Sequence, residues 1–236
     1  MGFIPVKTPL LIKRLFPSYV WNISSSSKII YLTFDDGPTP EITNWTLNIL
    51  EQYNAKATFF CIGSNIQKYP DIFSAILNKG HAIGNHTQNH IKGWKTKRES
   101  YLRNIKYANK VIEAQILKNK TTISSEDSLN YKTNNQQSQV LKMFRPPYGQ
   151  ITYKQGKCIM RLDYKIIMWD VLSFDWDNSI TKEACLKNVL SKTVKGSIVV
   201  FHDSVKASRN MQYTLPKVLE YFSDKGYVFK TLECAF

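Results

Sequence analysis

The stretch Tyr31-Leu32-Thr33-Phe34-Asp35-Asp36-Gly37-Pro38 is an apolar run that stops at two adjacent carboxylates and a turn. Residues 28–34 are rich in β-branched and aromatic side chains, which predicts a buried strand, and the Gly-Pro pair then ends it. Two neighbouring carboxylates repel each other unless a cation or a hydrogen-bond network separates them. The pair therefore marks either a reactive site at the carboxyl end of a strand or a simple Asx-turn before a helix.

The rest of the chain alternates between strand and helix patterns. Its 236 residues, 43% of them hydrophobic, fit one large domain with a substantial core. Helices are predicted near residues 42–53, 72–77, 101–112, 182–192 and 215–222, and strands at 57–62, 81–84, 140–144, 164–169, 197–201 and 227–232. Such alternation predicts an α/β fold with a parallel sheet, either open or closed into a barrel.

Two segments depart from this alternation. Residues 1–27 form an N-terminal extension in which Lys13-Arg14 interrupt the apolar run, so we expect neither a signal peptide nor a spanning helix. We expect this extension to pack on the domain, or to lie on a membrane surface through Leu11, Ile12, Leu15, Phe16 and Trp21. Residues 119–139 are dominated by Ser, Thr, Asn, Gln and Lys, which predicts a flexible surface insertion, with a lid over substrate as the alternative.

The charge balance favours an acidic partner. The chain has 32 Lys and Arg against 18 Asp and Glu, a formal charge of +14, which suits an acidic polymer, an anionic membrane surface or nucleic acid. Because the basic residues are scattered, a solvated basic surface explains them equally well. The sequence contains no RNA- or DNA-binding motif, so we expect no nucleic-acid partner.

The cysteines and three of the tryptophans are interpreted as packing residues. The four cysteines are far apart and form no CxxC pair, which is typical of reduced side chains in a reducing compartment. Trp21, Trp45 and Trp94 are likewise expected to pack rather than take part in chemistry. We therefore expect a cytoplasmic monomer, peripheral to a membrane if the extension binds one.

His86-Thr87-Gln88-Asn89-His90 places two imidazoles four residues apart. On a helical turn both rings lie on one face, at a separation that suits one metal ion. With a carboxylate from elsewhere, the set offers two nitrogens and one oxygen to an ion with open positions, a pattern that also fits a non-haem iron oxygenase. Taken alone, two histidines at this spacing are more often ordinary surface or packing residues.

Three further turns follow apolar runs. They are Phe144-Arg145-Pro146-Pro147-Tyr148-Gly149, Trp169-Asp170 continuing to Asp175-Trp176, and Val199-Val200-Phe201-His202-Asp203. In a parallel α/β barrel, side chains just past the carboxyl ends of the strands converge on one face, where active sites are built. The reactive candidates all lie at such positions, which favours one shared site over unrelated turns.

The sequence resembles the polysaccharide deacetylases, also called the NodB-homology domain or carbohydrate esterase family four, over about residues 28–232. The five motifs of that family stand here in order as Thr33-Phe34-Asp35-Asp36-Gly37-Pro38, His86-Thr87-Gln88-Asn89-His90, Arg145-Pro146-Pro147-Tyr148, Asp175-Trp176 and Val200-Phe201-His202. Five motifs in the right order are far more specific than any one of them. The resemblance implies a distorted (β/α) barrel of seven or eight parallel strands in a single domain, residues 28–236.

The resemblance also implies a metal centre and an acid–base pair. It implies one divalent metal ion, zinc before cobalt, manganese or nickel, with Asp36, His86 and His90 as ligands. Asp35 would be the base that takes a proton from a metal-bound water, which is the nucleophile. His202 would be the acid that protonates the departing amine.

The remaining motif residues are assigned supporting roles by the same resemblance. Arg145 would hold the base, and Asp175 would orient the acid. Substrate contacts are implied for Tyr148, Trp176 and Pro147. Of these, Trp176 would lie beside the acetyl methyl group, and the backbone N–H of Tyr148 would help to stabilise the oxyanion.

These roles predict a metal-dependent hydrolase that removes N-acetyl groups from N-acetylglucosamine units of an oligo- or polysaccharide. The substrate would be peptidoglycan-like, chitin-like or a glycan precursor. A bound divalent ion lowers the pKa of its water toward about 7 and polarises an amide carbonyl, and amide cleavage also needs a base and an acid. At the same site an O-acetyl xylan-type esterase or a formamido-sugar deformylase is possible, and a non-catalytic glycan-binding protein or a basic nucleic-acid binder are alternatives of other classes.

Overall fold

The computed structural model describes residues 5–126 and 141–236. Within these residues the chain forms eight α-helices and eight β-strands. In chain order they are α1 Leu10–Leu15, β1 Ile29–Asp35, α2 Ile42–Gln52, β2 Thr58–Cys61, α3 Gly63–Lys68, α4 Pro70–Asn78, β3 Ala82–Asn85, α5 Arg98–Glu126, β4 Met143–Phe144, α6 Tyr153–Met160, β5 Lys165–Ile166, β6 Val171–Leu172, α7 Lys182–Lys192, β7 Ile198–His202, α8 Ser208–Asp224 and β8 Val228–Phe229.

The strands form one parallel sheet that curls into a half-barrel. Its order is β5-β4-β3-β2-β1-β7-β6, and β8 lies beside the start of β1. At the other end of β1, Asp35 pairs with Phe60 of β2 on one side and with His202 of β7 on the other. The predicted fold class, a distorted (β/α) barrel with seven or eight parallel strands, is confirmed.

The central strand β1 is buried on both faces, as is usual in a parallel sheet covered by helices. On one face the Phe34 ring stacks between those of Phe59 and Phe201, with centroid distances of 5.0 and 6.0 Å. On the other face, Thr33 and Asp35 both accept hydrogen bonds from a buried guanidinium. The strand thus separates an aromatic core from a polar interior, and the candidate site lies at the end of that interior.

The N-terminal extension bridges the two edge strands of the half-barrel. Val20 forms backbone hydrogen bonds with the chain at and just after β5, accepting from Met168 and donating to Ile166. Val6 accepts a backbone hydrogen bond from Leu172 of β6. The buried carboxylate of Asp170 then holds the ammonium groups of the extension, Lys7 at 3.0 Å and Lys13 at 2.6 Å. The extension therefore supplies the contacts that the sheet edges would otherwise lack.

Helix α1 of this extension presents an apolar surface to solvent. Leu10, Leu11 and Leu15 are each more than 60% exposed, whereas Trp21, which the sequence analysis places on the same membrane-facing surface, is buried. In the described parts of the chain, no helix combines the length and the apolar composition needed to cross a bilayer. Contact with a membrane surface through α1 stays a prediction.

Several elements differ from the sequence predictions. The predicted strand 164–169 ends at Ile166, because the next residues turn their carbonyl oxygens toward the Arg145 guanidinium. The last predicted helix is longer than expected and begins at Ser208, while α1, α3, α6 and β6 are too short to give a clear periodic signal. Part of the predicted insertion 119–139 is helical, since α5 continues to Glu126, and the rest of it lies outside the described residues, as does Val140 of the predicted strand 140–144.

Candidate active site

The carboxylates of Asp35 and Asp36, at the end of β1, both lie close to His86 and His202. Asp35 is the last residue of the strand, and Asp36 has a left-handed backbone with φ +79°. The alternation of a regular strand is broken at this point. Asp36 therefore does not point to the face opposite Asp35, as it would if the strand continued. The two neighbouring carboxylates can therefore serve one site, as a reactive pair at the end of a strand requires.

A buried carboxylate, Asp203, fixes the turn that carries Asp36. Its Oδ1 accepts a hydrogen bond from the backbone N–H of Gly37 at 3.1 Å, and its Oδ2 accepts one from the Thr43 hydroxyl at 2.5 Å. A Cβ atom at Gly37 would overlap the Asp203 carboxylate, so this position requires glycine. Sequence reasoning gave Asp203 no role, although its position directly after His202 at a strand end was a signal.

The second motif is not helical, and the predicted helical turn at residues 86–90 is wrong. Thr87 and His90 have left-handed backbones with φ +67° and +52°, which no helix contains. Side-chain oxygens hold the loop: Asn85 Oδ1 accepts from the Thr87 N–H, and Asn104 Oδ1 accepts from two further N–H groups. The loop still brings the imidazoles of His86 and His90 together, with ring centroids 5.1 Å apart.

Asp36, His86 and His90 form a group of possible metal ligands. The Oδ1 atom of Asp36 lies 3.1 Å from His90 Nε2 and 3.7 Å from His86 Nε2, and the three ligand atoms lie within 4.8 Å of one another. His86 Nδ1 is 2.8 Å from the carbonyl oxygen of Arg145, a contact that assigns the ring proton to Nδ1 and leaves Nε2 free. The buried Oδ1 of Asp36 accepts no well-aligned hydrogen bond from the described residues, although His90 Nε2 lies 3.1 Å away. A divalent cation would satisfy it, so the residues fit a metal.

The protonation states of the group also suit a cation. Burial lowers the pKa of His86 to about 4, so its imidazole is neutral at pH 7. Burial alone would raise the pKa of Asp36, but the imidazoles of His90, His202 and His86 together hold it below its ordinary value. Metal ligands must be deprotonated, and a neutral imidazole beside an ionised carboxylate meets that requirement.

Asp35 is held by a fully buried arginine. Arg145 Nη1 donates to Asp35 Oδ1 at 2.7 Å and to the hydroxyl oxygen of Thr33 at 2.7 Å. Its Nη2 and Nε donate to the carbonyl oxygens of Met168 and Ile167. Burial lowers the pKa of Arg145, although the neighbouring Asp35 opposes this shift. The guanidinium remains charged and has one orientation, so it fixes the position of the Asp35 carboxylate.

His202 is held in a similar way by Asp175, which is itself completely buried. Asp175 Oδ1 lies 2.8 Å from His202 Nδ1, and its Oδ2 accepts the backbone N–H of the same residue at 2.7 Å. Burial would lower the pKa of His202, but Asp175, and then Asp36 and Asp35, raise it to about 9. The imidazole is therefore protonated at neutral pH, with Nδ1–H directed at Asp175 and Nε2–H free to face the site.

Aromatic side chains border the site on two sides. The Trp176 ring meets the His202 imidazole edge-on at 4.8 Å and stacks on Phe174. On the other side, the Tyr148 ring lies 4.6 Å from that of His90 and is 55% exposed. Tyr148 has a left-handed backbone with φ +60°, directly after the buried Pro147.

Comparisons with known proteins agree with this geometry. The sequence model of the polysaccharide deacetylase family matches residues 22–125. A peptidoglycan-N-acetylglucosamine deacetylase of Bacillus cereus is 33% identical over 208 residues, covering 88% of this chain and 68% of the relative. A second from the same organism is 32% identical over 227 residues, covering 94% of this chain and 96% of the relative. The chain belongs to the polysaccharide deacetylase family. The family resemblance drawn from the five motifs is therefore confirmed.

A solved structure shows that the likeness to polysaccharide deacetylases extends to the fold. The crystal structure of the Bc1960 peptidoglycan N-acetylglucosamine deacetylase in complex with 4-naphthalen-1-yl-N-oxidanyl-benzamide is 29% identical in sequence. It superimposes with a TM-score of 0.80 and covers 97% of each chain. The deacetylase fold thus accounts for nearly the whole of this chain, including most of the N-terminal extension.

Proposed function

We propose that this chain is a metal-dependent deacetylase that removes N-acetyl groups from N-acetylglucosamine units of a peptidoglycan-like or chitin-like glycan. The observation that carries the proposal is the placement of two ion pairs, Arg145–Asp35 and Asp175–His202, beside the carboxylate and imidazoles of the ligand group. The names of the two Bacillus cereus relatives support the choice of sugar.

The ligand group suits zinc. Two imidazole nitrogens and one carboxylate oxygen, with positions left open for water and substrate, are the donor set of many catalytic zinc sites, and cobalt, manganese and nickel accept the same donors. A divalent cation held by Asp36, His86 and His90 supplies Lewis acidity, which polarises a carbonyl and makes water a better nucleophile. The hydrogen bond from His86 Nδ1–H to the Arg145 carbonyl oxygen would orient the His86 Nε2 atom toward that cation.

Asp35 is the proposed base. Because Arg145 engages Oδ1, the other oxygen, Oδ2, is left to accept a proton from the attacking water. The guanidinium cannot take that proton, since its pKa stays well above neutral even when it is buried. Arg145 therefore positions the base without competing with it.

His202 is the proposed acid. An amide releases its amine only if the nitrogen is protonated, and the Nε2–H of a protonated His202 can supply that proton. The Asp175 carboxylate keeps the Nδ1 proton in place, so the proton that leaves is the one on Nε2. In the full reaction, water adds to the carbonyl carbon, the C–N bond breaks, Asp35 gains one proton and His202 gives one to the amine.

The remaining site residues are proposed to contact the acetyl group. The Trp176 ring beside His202 offers an apolar surface to the methyl group. The left-handed backbone of Tyr148 interrupts the regular backbone hydrogen bonding at this turn. Its backbone N–H is assigned as a donor to the developing oxyanion. Pro147 fixes the turn from its buried position.

An acid of raised pKa favours an N-acyl over an O-acyl substrate. An alkoxide leaves an ester without full protonation, whereas an amine does not leave an amide, so His202 is needed more for the amide. The O-acetyl esterase and the formamido-sugar deformylase remain the alternatives at this site. They are separated by measuring acetate and formate released from N-acetylglucosamine oligomers, acetylated xylan and a formamido sugar.

Variants of the proposed base and of the ligand group test the proposal directly. Acetate release from N-acetylglucosamine oligomers by zinc-loaded protein is compared with release by Asp35→Asn and by the double variant His86→Ala, His90→Ala. We expect both variants to be inactive and the double variant also to lose zinc. Glycan binding by the native protein, without turnover of any substrate, would instead support a non-catalytic glycan-binding role.

A further inference from the structure

Trp94 is an exposed side chain, which contradicts the sequence expectation that it is a packing residue. Its side chain is 66% exposed, whereas Trp21 is only 8% exposed and Trp45 packs partly buried against the main core. A single exposed aromatic residue is common on protein surfaces and needs no explanation by itself. The surroundings of Trp94 distinguish it from such a residue.

The indole of Trp94 is held in one position. Its Nε1–H donates to the carbonyl oxygen of Ile151 at 3.1 Å. The preceding residue, Gly93, donates its backbone N–H to the carbonyl oxygen of Gln150. A Cβ atom at Gly93 would overlap that oxygen of Gln150. A flat apolar ring fixed at the surface before any ligand arrives loses little conformational entropy on binding.

A buried glutamine reinforces this contact between the two loops. The Nε2 group of Gln155 donates to the carbonyl oxygens of Gly93 and Thr96, at 2.9 and 3.0 Å. Its Oε1 accepts the backbone N–H of Thr152 at 2.9 Å. The loop with Trp94 and the loop that follows Tyr148 are therefore one rigid unit.

Chain connectivity limits how far Trp94 can lie from the ligand group. It follows His90 by four residues, and a chain segment spans at most about 3.6 Å per residue, so the two Cα atoms are within about 14 Å. Ile151, which accepts the hydrogen bond from Trp94, follows Tyr148 by three residues, so the Cα atoms of Tyr148 and Ile151 are within about 11 Å. The ammonium of Lys92 lies 4.6 Å from the centre of the Tyr148 ring, so these two side chains are neighbours. Lys92, Trp94 and Tyr148 together form the rim of the site.

We propose that Lys92, Trp94 and Tyr148 form a subsite for the sugar next to the one that is deacetylated, an inference that rests on the proposed function. The Trp94 and Tyr148 rings provide apolar faces that can stack on the C–H face of a pyranose, as aromatic rings with a polar edge do at wet surfaces. Lys92 adds a positive charge, which suits a neighbouring sugar that carries a carboxylate. The subsite therefore favours long and acidic glycans over short and neutral ones.

The first test is the dependence of acetate release on glycan length. For native zinc-loaded protein, kcat/KM is measured from the shortest N-acetylglucosamine oligomer that it deacetylates up to the pentamer or hexamer. We expect kcat/KM to rise with length, and Trp94→Ala to lose about tenfold on the longest oligomer through KM, with little change on the shortest. Trp94→Phe should retain most of the gain, because it keeps a stacking face.

Tyr107→Ala is the matched control, since Tyr107 is a half-exposed aromatic residue on α5 outside this rim. It should leave the length dependence unchanged. An equal loss on short and long oligomers in Trp94→Ala, or no length dependence in the native protein, would overturn the subsite. Absence of acetate from every substrate with native protein would instead contradict the proposed function, so the two failures are distinguishable.

The second test concerns Lys92. The ratio of kcat/KM on a carboxylate-bearing peptidoglycan fragment to kcat/KM on a neutral oligomer of equal length is measured in native protein, in Lys92→Gln and in Lys106→Gln. An ion pair at a partly exposed site is modest, so we expect Lys92→Gln to lower the ratio about threefold. Lys106 is exposed on α5 and should not change it. A ratio that is unchanged in Lys92→Gln would contradict the charge preference.

Discussion

Asp35 and His202 occupy paired positions on the adjacent parallel strands β1 and β7. Paired residues of neighbouring strands point to the same face, so the backbone register alone places the carboxylate and the imidazole side by side. Each is then held from behind by a buried residue of opposite charge, Arg145 for the carboxylate and Asp175 for the imidazole. The register of two strands thereby places the proposed base beside the proposed acid.

Asp35→Asn should abolish catalysis but not metal binding. The amide cannot accept the proton that the carboxylate takes, so we expect kcat/KM for acetate release to fall by about 10²–10⁴-fold. Zinc content, measured by elemental analysis after dialysis, should stay at the native value because Asp35 is not in the ligand group. Asp224→Asn, at an exposed position, is the matched control. Loss of zinc in Asp35→Asn would show that Asp35, too, is a ligand.

Arg145→Met should destabilise the protein strongly. The substitution leaves the Asp35 carboxylate buried without its partner, which should lower the free energy of unfolding by about 3–5 kcal/mol. Urea unfolding followed by tryptophan fluorescence measures the change, with the exposed Arg161→Met as control. Adding Asp35→Asn to Arg145→Met removes the unpaired charge, so the double variant should be more stable than Arg145→Met alone. Strict additivity of the two effects would contradict the pairing.

The protonation of His202 should depend on Asp175. In the metal-free protein, NMR titration of the His202 ring should give a pKa of about 9, well above an ordinary imidazole. Because the folded-state pKa is raised, the stabilisation from this protonation is complete below about pH 6.5 and is lost as pH rises through about 9. Asp175→Asn removes the first of the charges that raise the pKa, so the titration should move to lower pH. An unchanged titration in this variant would contradict the assignment.

The carboxylate of Asp203 should affect metal affinity without touching the metal. It fixes the Gly37 N–H and the Thr43 hydroxyl, and so the turn that carries Asp36. We expect Asp203→Asn and Thr43→Val to weaken zinc binding by about tenfold each, as measured by competition with a chromogenic chelator. Native affinity in both variants would mean that the turn keeps its shape without this carboxylate.

The sequence predicts the residues at strand ends well, because those positions are defined locally. The apolar run before Asp35 and the run before His202 each predict a buried strand, and the parallel alternation brings their ends to one edge. That reasoning needs no knowledge of side-chain contacts. It places Asp35, His202 and the ligand group Asp36, His86 and His90 at the same end of the sheet, where the structure has them.

What the sequence does not predict depends on backbone conformation or on distant contacts. The spacing of His86 and His90 suggests a helical turn, but left-handed residues and the side chains of Asn85 and Asn104 produce a loop with the same ring-to-ring approach. The exposed indole of Trp94 is held by a hydrogen bond to Ile151, 57 residues away. No periodic pattern contains that information.

The measurement that tests the central claim most directly is acetate release from N-acetylglucosamine oligomers by metal-stripped protein, before and after adding zinc, cobalt or manganese. We predict no release without metal and restored release with at least one of them, and no restoration in the His86→Ala, His90→Ala variant. If the native protein binds metal yet releases no acetate with any of the three, a deacetylase of N-acetylglucosamine is contradicted. The formamido and O-acetyl substrates would then be the next to test.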